Sequence, residues 1–170
     1  MRTVDERLVR APLDRVFELA RDVEMWPTLL SHYRVVRFHE RTLDGGGLVE
    51  MSAVRPFGAL NWPTRWTSEM AVGNATADGA VQPTVRFRHV AGITRGMDVV
   101  WTFTPAPTGA TRVQIVHVWD GPTWPLIGGL SATHLIGPVF VHGIASRTLA
   151  GLAAIAERDS SMPTAFAPAG

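Results

Sequence analysis

The chain contains no cysteine, which removes disulfides, thiolate metal sites and cysteine nucleophiles from consideration. It contains no lysine either: all 16 of its Lys+Arg positions are arginine. Schiff-base chemistry and lysine general bases are excluded with it. Net charge is small, with 15 Asp+Glu leaving a formal +1. The arginines form no stripe, so nucleic acid is not expected as a partner. The six histidines (32, 39, 89, 117, 134 and 142) form no His-x-x-x-His, His-Glu-x-x-His or carboxylate-rich cluster, so no metal and no cofactor are expected. The N-terminus is charged at Arg2, Asp5, Glu6 and Arg7 and has no apolar signal core, which gives a cytoplasmic location as the expectation.

A length of 170 residues suits one domain with a sizeable core. The reading is a single domain over 1–158 and a small-residue, proline-containing, aperiodic tail over 159–170, expected to be disordered. From Gly121 to Ser146 no residue is formally charged. The many glycines and prolines there do not suit a membrane span. The segment reads as an apolar loop leading into a buried helix, with no integral membrane segment.

Short β-like runs alternate with turn signals. Residues 3–10, 33–41, 48–55, 62–72, 84–91, 97–104 and 111–119 read as seven strands in an antiparallel meander. Asp44-Gly45-Gly46-Gly47 marks a hairpin. Pro56-Phe57-Gly58 reads as a break and 74–79 as a loop. Gly137-Pro138 reads as the start of a long helix over 139–157. Its apolar face is Ile144, Thr148, Leu149, Leu152, Ile155 and Ala156.

The most specific stretch is 11–27. Pro12 suits a first helical position. Val16, Phe17, Leu19 and Ala20 form an apolar stripe. Asp22 suits a cap of a second turn, and Trp26-Pro27 reads as its end. A strand, an Ala-Pro helix and an Asp-x-x-x-Trp-Pro helix in this order resemble the START/Bet v 1-like (SRPBCC) superfamily, polyketide cyclase/dehydrase type. The resemblance spans 3–158. It is supported by Gly-x-x-x-Gly-Met-Asp-Val-x-Trp-x-Phe at 92–103 and Gly-x-Thr-x-Val-x-Ile at 109–115. It implies an α+β helix-grip fold: a seven-stranded curved antiparallel sheet wrapped around a long C-terminal helix, with two short helices after strand 1 and an apolar cavity inside.

Strand alternation sorts side chains onto two faces. Val113, Ile115, His117 and Trp119 share a face, as do Met97, Val99, Trp101 and Phe103. So do Val85, Phe87 and His89; Trp66, Ser68, Met70 and Val72; and Val49, Met51, Ala53 and Arg55. Their apolar majority predicts that these point inward. The candidate ligand-binding residues are Tyr33, Met51, Trp66, Ser68, Met70, Phe87, Met97, Val99, Trp101 and Trp119, although large apolar side chains are buried by default. Trp26 and Trp124 read as helix packing. Arg55, His89 and His117 are the candidate catalytic groups. A buried guanidinium asks for a partner or a solvated cavity. A neutral imidazole is either an acid/base near pH 7 or a core residue bonded to backbone. Ser68 lacks a nucleophile-elbow context.

The resemblance implies a hydrophobic small-molecule ligand. It further implies either cyclisation and dehydration of a poly-β-ketone delivered by an acyl carrier protein, or non-catalytic carriage or sensing of a lipid, quinone or isoprenoid. Aromatase/cyclases similar to this chain carry Trp-x-Ser-x-Arg in the fourth strand; here Trp66 and Ser68 are followed by Met70. A third reading is an interaction module that docks a partner through the apolar stretch 126–140.

Overall fold

A computed structural model describes residues 1–57, 60–77, 80–121 and 129–161, with backbone alone at 55–57, 60–62, 76–77, 80 and 129–142. Seven strands form one antiparallel sheet: β1 (Arg2–Val9), β2 (Tyr33–Arg41), β3 (Gly47–Phe57), β4 (Leu60–Ala77), β5 (Ala80–Gly92), β6 (Asp98–Pro105) and β7 (Thr111–Val118). The spatial order is β1-β7-β6-β5-β4-β3-β2. It is a meander from β2 to β7, with β1 returning to lie beside the last strand. Helix α1 (Leu13–Arg21), a 3-10 turn (Val23–Met25) and helix α2 (Trp26–Leu29) connect β1 to β2, and helix α3 (Gly129–Ser161) closes the chain.

The strand faces follow the alternation. Val49, Met51, Ala53, Trp66, Ser68, Met70, Val85, Phe87, Met97, Val99, Trp101, Phe103, Val113, Ile115, His117 and Trp119 are all buried. Across the core from them lie Ala145, Thr148, Leu149, Leu152, Ala153, Ile155 and Ala156 of α3. Helix α3 packs against both β1 and β3, which stand first and sixth in the sheet order. One helix reaches both only if the sheet curls around it. This is the helix grip.

Several boundaries differ from the sequence reading. Pro12 is the N-cap of α1, not its first residue. Trp26-Pro27 begins α2 instead of ending a helix. Pro56 does not break β3: the β3–β4 ladder continues through Pro56↔Asn61 to Phe57↔Leu60. Residues 74–77 are not loop, because β4 pairs with β5 as far as Ala77↔Ala80. Helix α3 starts before Gly137-Pro138 and runs for 33 residues, about 50 Å at the helical rise. It takes in Asp159, Ser160 and Ser161, the first three residues of the stretch read as tail. A proline within a helix removes one backbone bond and kinks it; it need not end it when flanking turns are held. Among the described residues no helix is long and apolar enough to cross a membrane, and no group of His, Cys, Asp and Glu is placed to hold a metal. The tail over 162–170 and the side chains of 126–140 lie outside the described residues.

Candidate functional site

Between the inner face of the sheet and α3 lies a cavity of about 80 Å³. Its walls come from Met51 on β3, Thr64 and Trp66 on β4, Phe87 and His89 on β5, Met97 just before β6, Val99 and Trp101 on β6, and His117 on β7. Trp26 and Tyr33 close it from the β1–β2 connection, Ile93 and Thr94 from the β5–β6 turn, and Ile144, Ala145 and Thr148 from α3.

Aromatic rings dominate. Trp26 meets Tyr33 edge-on at 5.0 Å and lies 5.9 Å from Trp101 and 6.4 Å from Phe87. Its indole N–H donates to the Leu19 carbonyl at 3.0 Å, so α1 holds the ring that α2 presents. Trp66 stacks on His89 at 5.9 Å. The β4–β5 ladder has a register shift between Thr67 and Ser68, next to Gly92, whose φ is +95°. A Cβ at Gly92 would stand 2.5 Å from the Arg65 carbonyl oxygen and 2.8 Å from Trp66 Cα. The glycine therefore permits the close approach that seats Trp66 beside His89.

The polar groups form two sets. On the sheet side, His89 Nδ1 lies 2.6 Å from Thr94 Oγ1. Burial, and then the charge of His117, lower the His89 pKa to about 3, so it is neutral at physiological pH. His117 Nδ1 lies 3.3 Å from Thr3 Oγ1 and 4.0 Å from Asp5 Oδ2. On the helix side, Thr148 donates to the Ile144 carbonyl at 2.8 Å and lies 3.0 Å from His32 Nε2 and 3.4 Å from the Tyr33 hydroxyl. A hydroxyl has one proton and two lone pairs. The Thr148 hydroxyl is therefore shared among three partners, with Ile144 and Tyr33 as acceptors and a lone pair left for His32. Burial, and then Arg147, lower the His32 pKa to about 4. Burial raises the Tyr33 hydroxyl far above its ordinary value, and its bond to Thr148 offsets only part of this.

Of the residues singled out from sequence, His89, His117, Tyr33, Met51, Trp66, Phe87, Met97, Val99 and Trp101 meet at this cavity. Ser68, Met70 and Trp119 are buried but not among its walls. Met70 stands opposite Phe87 and Gly47 in the ladder, and the Trp119 indole donates to the Arg95 carbonyl at 3.0 Å. Arg55 pairs with Trp62 in the β3–β4 ladder, and its side chain, like Trp124, lies outside the described residues. The sequence reading gave Trp26 a packing role and did not place Thr64, Ile93, Thr94, Ala145 or Thr148 at the site. The available signal was Thr148, a polar residue inside an apolar helical stripe.

The family described as polyketide cyclase / dehydrase and lipid transport matches residues 9–135. The chain belongs to this family. A putative polyketide cyclase of Streptomyces halstedii is 31% identical over 109 residues, covering 63% of this chain and 91% of that protein. The Zhui aromatase/cyclase of Streptomyces sp. R1128 superposes with a TM-score of 0.72 at 16% identity, over 93% of this chain and 94% of that one. A protein of Thermus thermophilus gives 0.69 at 23% identity, over 95% of this chain and 100% of that one. These structural likenesses carry the fold, the START/Bet v 1 helix grip that the sequence resemblance implied.

Proposed function

We propose that this family member binds a hydrophobic, aromatic-forming small molecule in its cavity and acts as an aromatase/cyclase on a poly-β-ketone chain, presented by an acyl carrier protein. The observation that supports this reading is the joint presence of His89 and His117 in one aromatic-walled cavity. The chemistry needs little more. A cavity that holds a flexible chain brings one enolisable carbon to one carbonyl, and so converts chain entropy into regiochemistry. A base removes a proton from that carbon, and the electron pair moves onto its carbonyl as an enolate. The enolate carbon attacks the second carbonyl, and the resulting alkoxide takes the proton back. Water then leaves to give the aromatic ring. A neutral imidazole can move these protons, and hydrogen-bond donors can steady the developing oxyanion. The cavity, at about 80 Å³, is smaller than the roughly 150 Å³ known to admit benzene in another protein, so this reading requires it to widen around a ligand.

A second reading, carriage or sensing of a lipid, quinone or isoprenoid, is favoured by a separate observation. No Arg, Asp or Glu is among the described cavity walls, and Met70 stands where similar aromatase/cyclases carry arginine. One experiment separates the two. The purified protein is incubated with a synthetic poly-β-ketone thioester, and products and retained ligand are followed by mass spectrometry. Cyclised product should form faster than in buffer, and His117→Ala should cut the rate by about 100-fold or more while retaining ligand. Tight retention of an unchanged apolar molecule, without turnover, would establish the carrier.

A further inference from the structure

Asp5 has no part in the chemistry so far. On β1, alternation sets Thr3, Asp5, Arg7 and Val9 on one face; Asp5 and Val9 are buried, while Arg7 is exposed. Among the described residues Asp5 is the one buried carboxylate. A carboxylate withdrawn from water is costly unless a cation or donors meet it. The ladder sets which ring stands beside it. Thr3 pairs with His117 and Asp5 with Ile115, so the two side chains flank the His117 ring. Thr3 Oγ1 lies 3.3 Å from Nδ1, and Asp5 Oδ2 lies 4.0 Å from the same nitrogen. Both therefore address the strand-edge side of a ring that also lines the cavity. The environment of His89 is different. Its Nδ1 meets the neutral hydroxyl of Thr94. Among the titratable groups bearing on His117 are Asp5 on β1 and His89 on β5.

We propose that Asp5 is a positioning residue for His117: with Thr3 it holds the neutral ring as the Nδ1–H tautomer, leaves Nε2 as the basic nitrogen for the cavity, and stabilises the imidazolium that forms there. The inference deepens the cyclase reading and rests on it, because it assigns the proton-moving role to His117. His89 then serves as a neutral hydrogen-bonding partner for a ligand carbonyl. The step is a proton transfer that needs no co-reactant. Nε2 takes a proton from the carbon beside a carbonyl, the C–H electron pair passes to the enolate, and the imidazolium returns the proton to the alkoxide of the new ring. A carboxylate that orients a histidine and stabilises its cation, without itself being protonated, is a known catalytic arrangement.

The test uses the full chain with ¹⁵N-labelled histidine and 1-tetralone, a bicyclic ketone with an exchangeable α-carbon. In the wild type, the nitrogen shifts should report the Nδ1–H tautomer for His117. In Asp5→Asn, His117 should titrate at least half a pH unit lower, and Asp5→Glu should recover part of that shift. Deuterium uptake from D2O into 1-tetralone should fall at least tenfold in Asp5→Asn, with its affinity unchanged within twofold. An Nε2–H tautomer in the wild type, or an unmoved His117 titration in Asp5→Asn, overturns the proposal. The wild-type tautomer decides the matter even if the variant does not fold. A coupled Asp5–His117 pair in a wild type that does not speed deuterium uptake supports the pairing and overturns the cyclase reading instead.

Discussion

Thr148 carries more of the site than its size suggests. Its hydroxyl stands between His32, Tyr33 and the Ile144 carbonyl, three groups shut away from water. Replacing it with valine keeps the shape and strands two buried polar groups. Each such group costs about 1–3 kcal/mol, so Thr148→Val should lower the urea midpoint by the equivalent of about 2–4 kcal/mol. Tyr33→Phe removes only the longest of these contacts and should cost less than about 1 kcal/mol; if it equals Thr148→Val, the hub is misassigned. Ser68 is the opposite case. Its hydroxyl is buried without a hydrogen-bond partner among the described residues, so Ser68→Ala should be neutral or stabilising by about 1 kcal/mol in the same measurement. Alternation in the sequence put Ser68 inside, as found. It could not tell that Ser68 stands behind the cavity wall while Trp66, two residues away, forms it. Period-two patterning gives the face, and the distance to α3 decides what the face meets.

At the scale of elements, the β4–β5 pairing is the critical joint. Its register shift and the positive φ of Gly92 set the position of Trp66 against His89. Gly92→Ala would strain the backbone and drive a methyl into the Arg65 carbonyl. It should destabilise the protein by about 2 kcal/mol or more and weaken ligand binding at the same time. Full stability in a thermal melt would show that the turn is not rigid. The strands and their faces were legible where burial alternates, as in β6 and β7. Their ends were not. Pro56, Pro63 and Pro83 all lie within paired stretches, opposite Asn61, Val54 and Asn74, so proline there does not stop a strand. The start of α3 was misplaced for the related reason that Gly137-Pro138 is a stop-or-start signal only when nothing else fixes the neighbouring turns. The walls supplied from outside the sheet, Trp26, Ile93, Thr94 and Thr148, depend on how connections fold over it, which no local period encodes.

For the molecule as a whole, the buried histidines link stability to acidity. His32 and His89 have pKa values of about 4 and about 3 in the folded chain, against an ordinary 6.5. Between those values the unfolded chain binds more protons than the native one, so unfolding free energy falls as pH drops below about 6.5. By pH 5 each site should cost about 2 kcal/mol. Denaturation at pH 7.5 and at pH 5 should show a clearly lower midpoint in acid, and His32→Gln should reduce the difference; equal midpoints would mean that these rings are protonated in place. The overall architecture was legible from the order of short motifs along the chain, since a strand, two small helices, a meander and a last long helix leave few ways to cover one sheet. The ring of indoles at its centre has an optical consequence as well. Trp26 and Trp101 lie 5.9 Å apart at 39°, with Tyr33 5.0 Å from Trp26. Chromophores fixed this closely in a chiral setting couple their electronic transitions, and a near-ultraviolet dichroism signal depends on such fixed packing. Any molecule that wedges these rings apart should announce itself in that band, without a label.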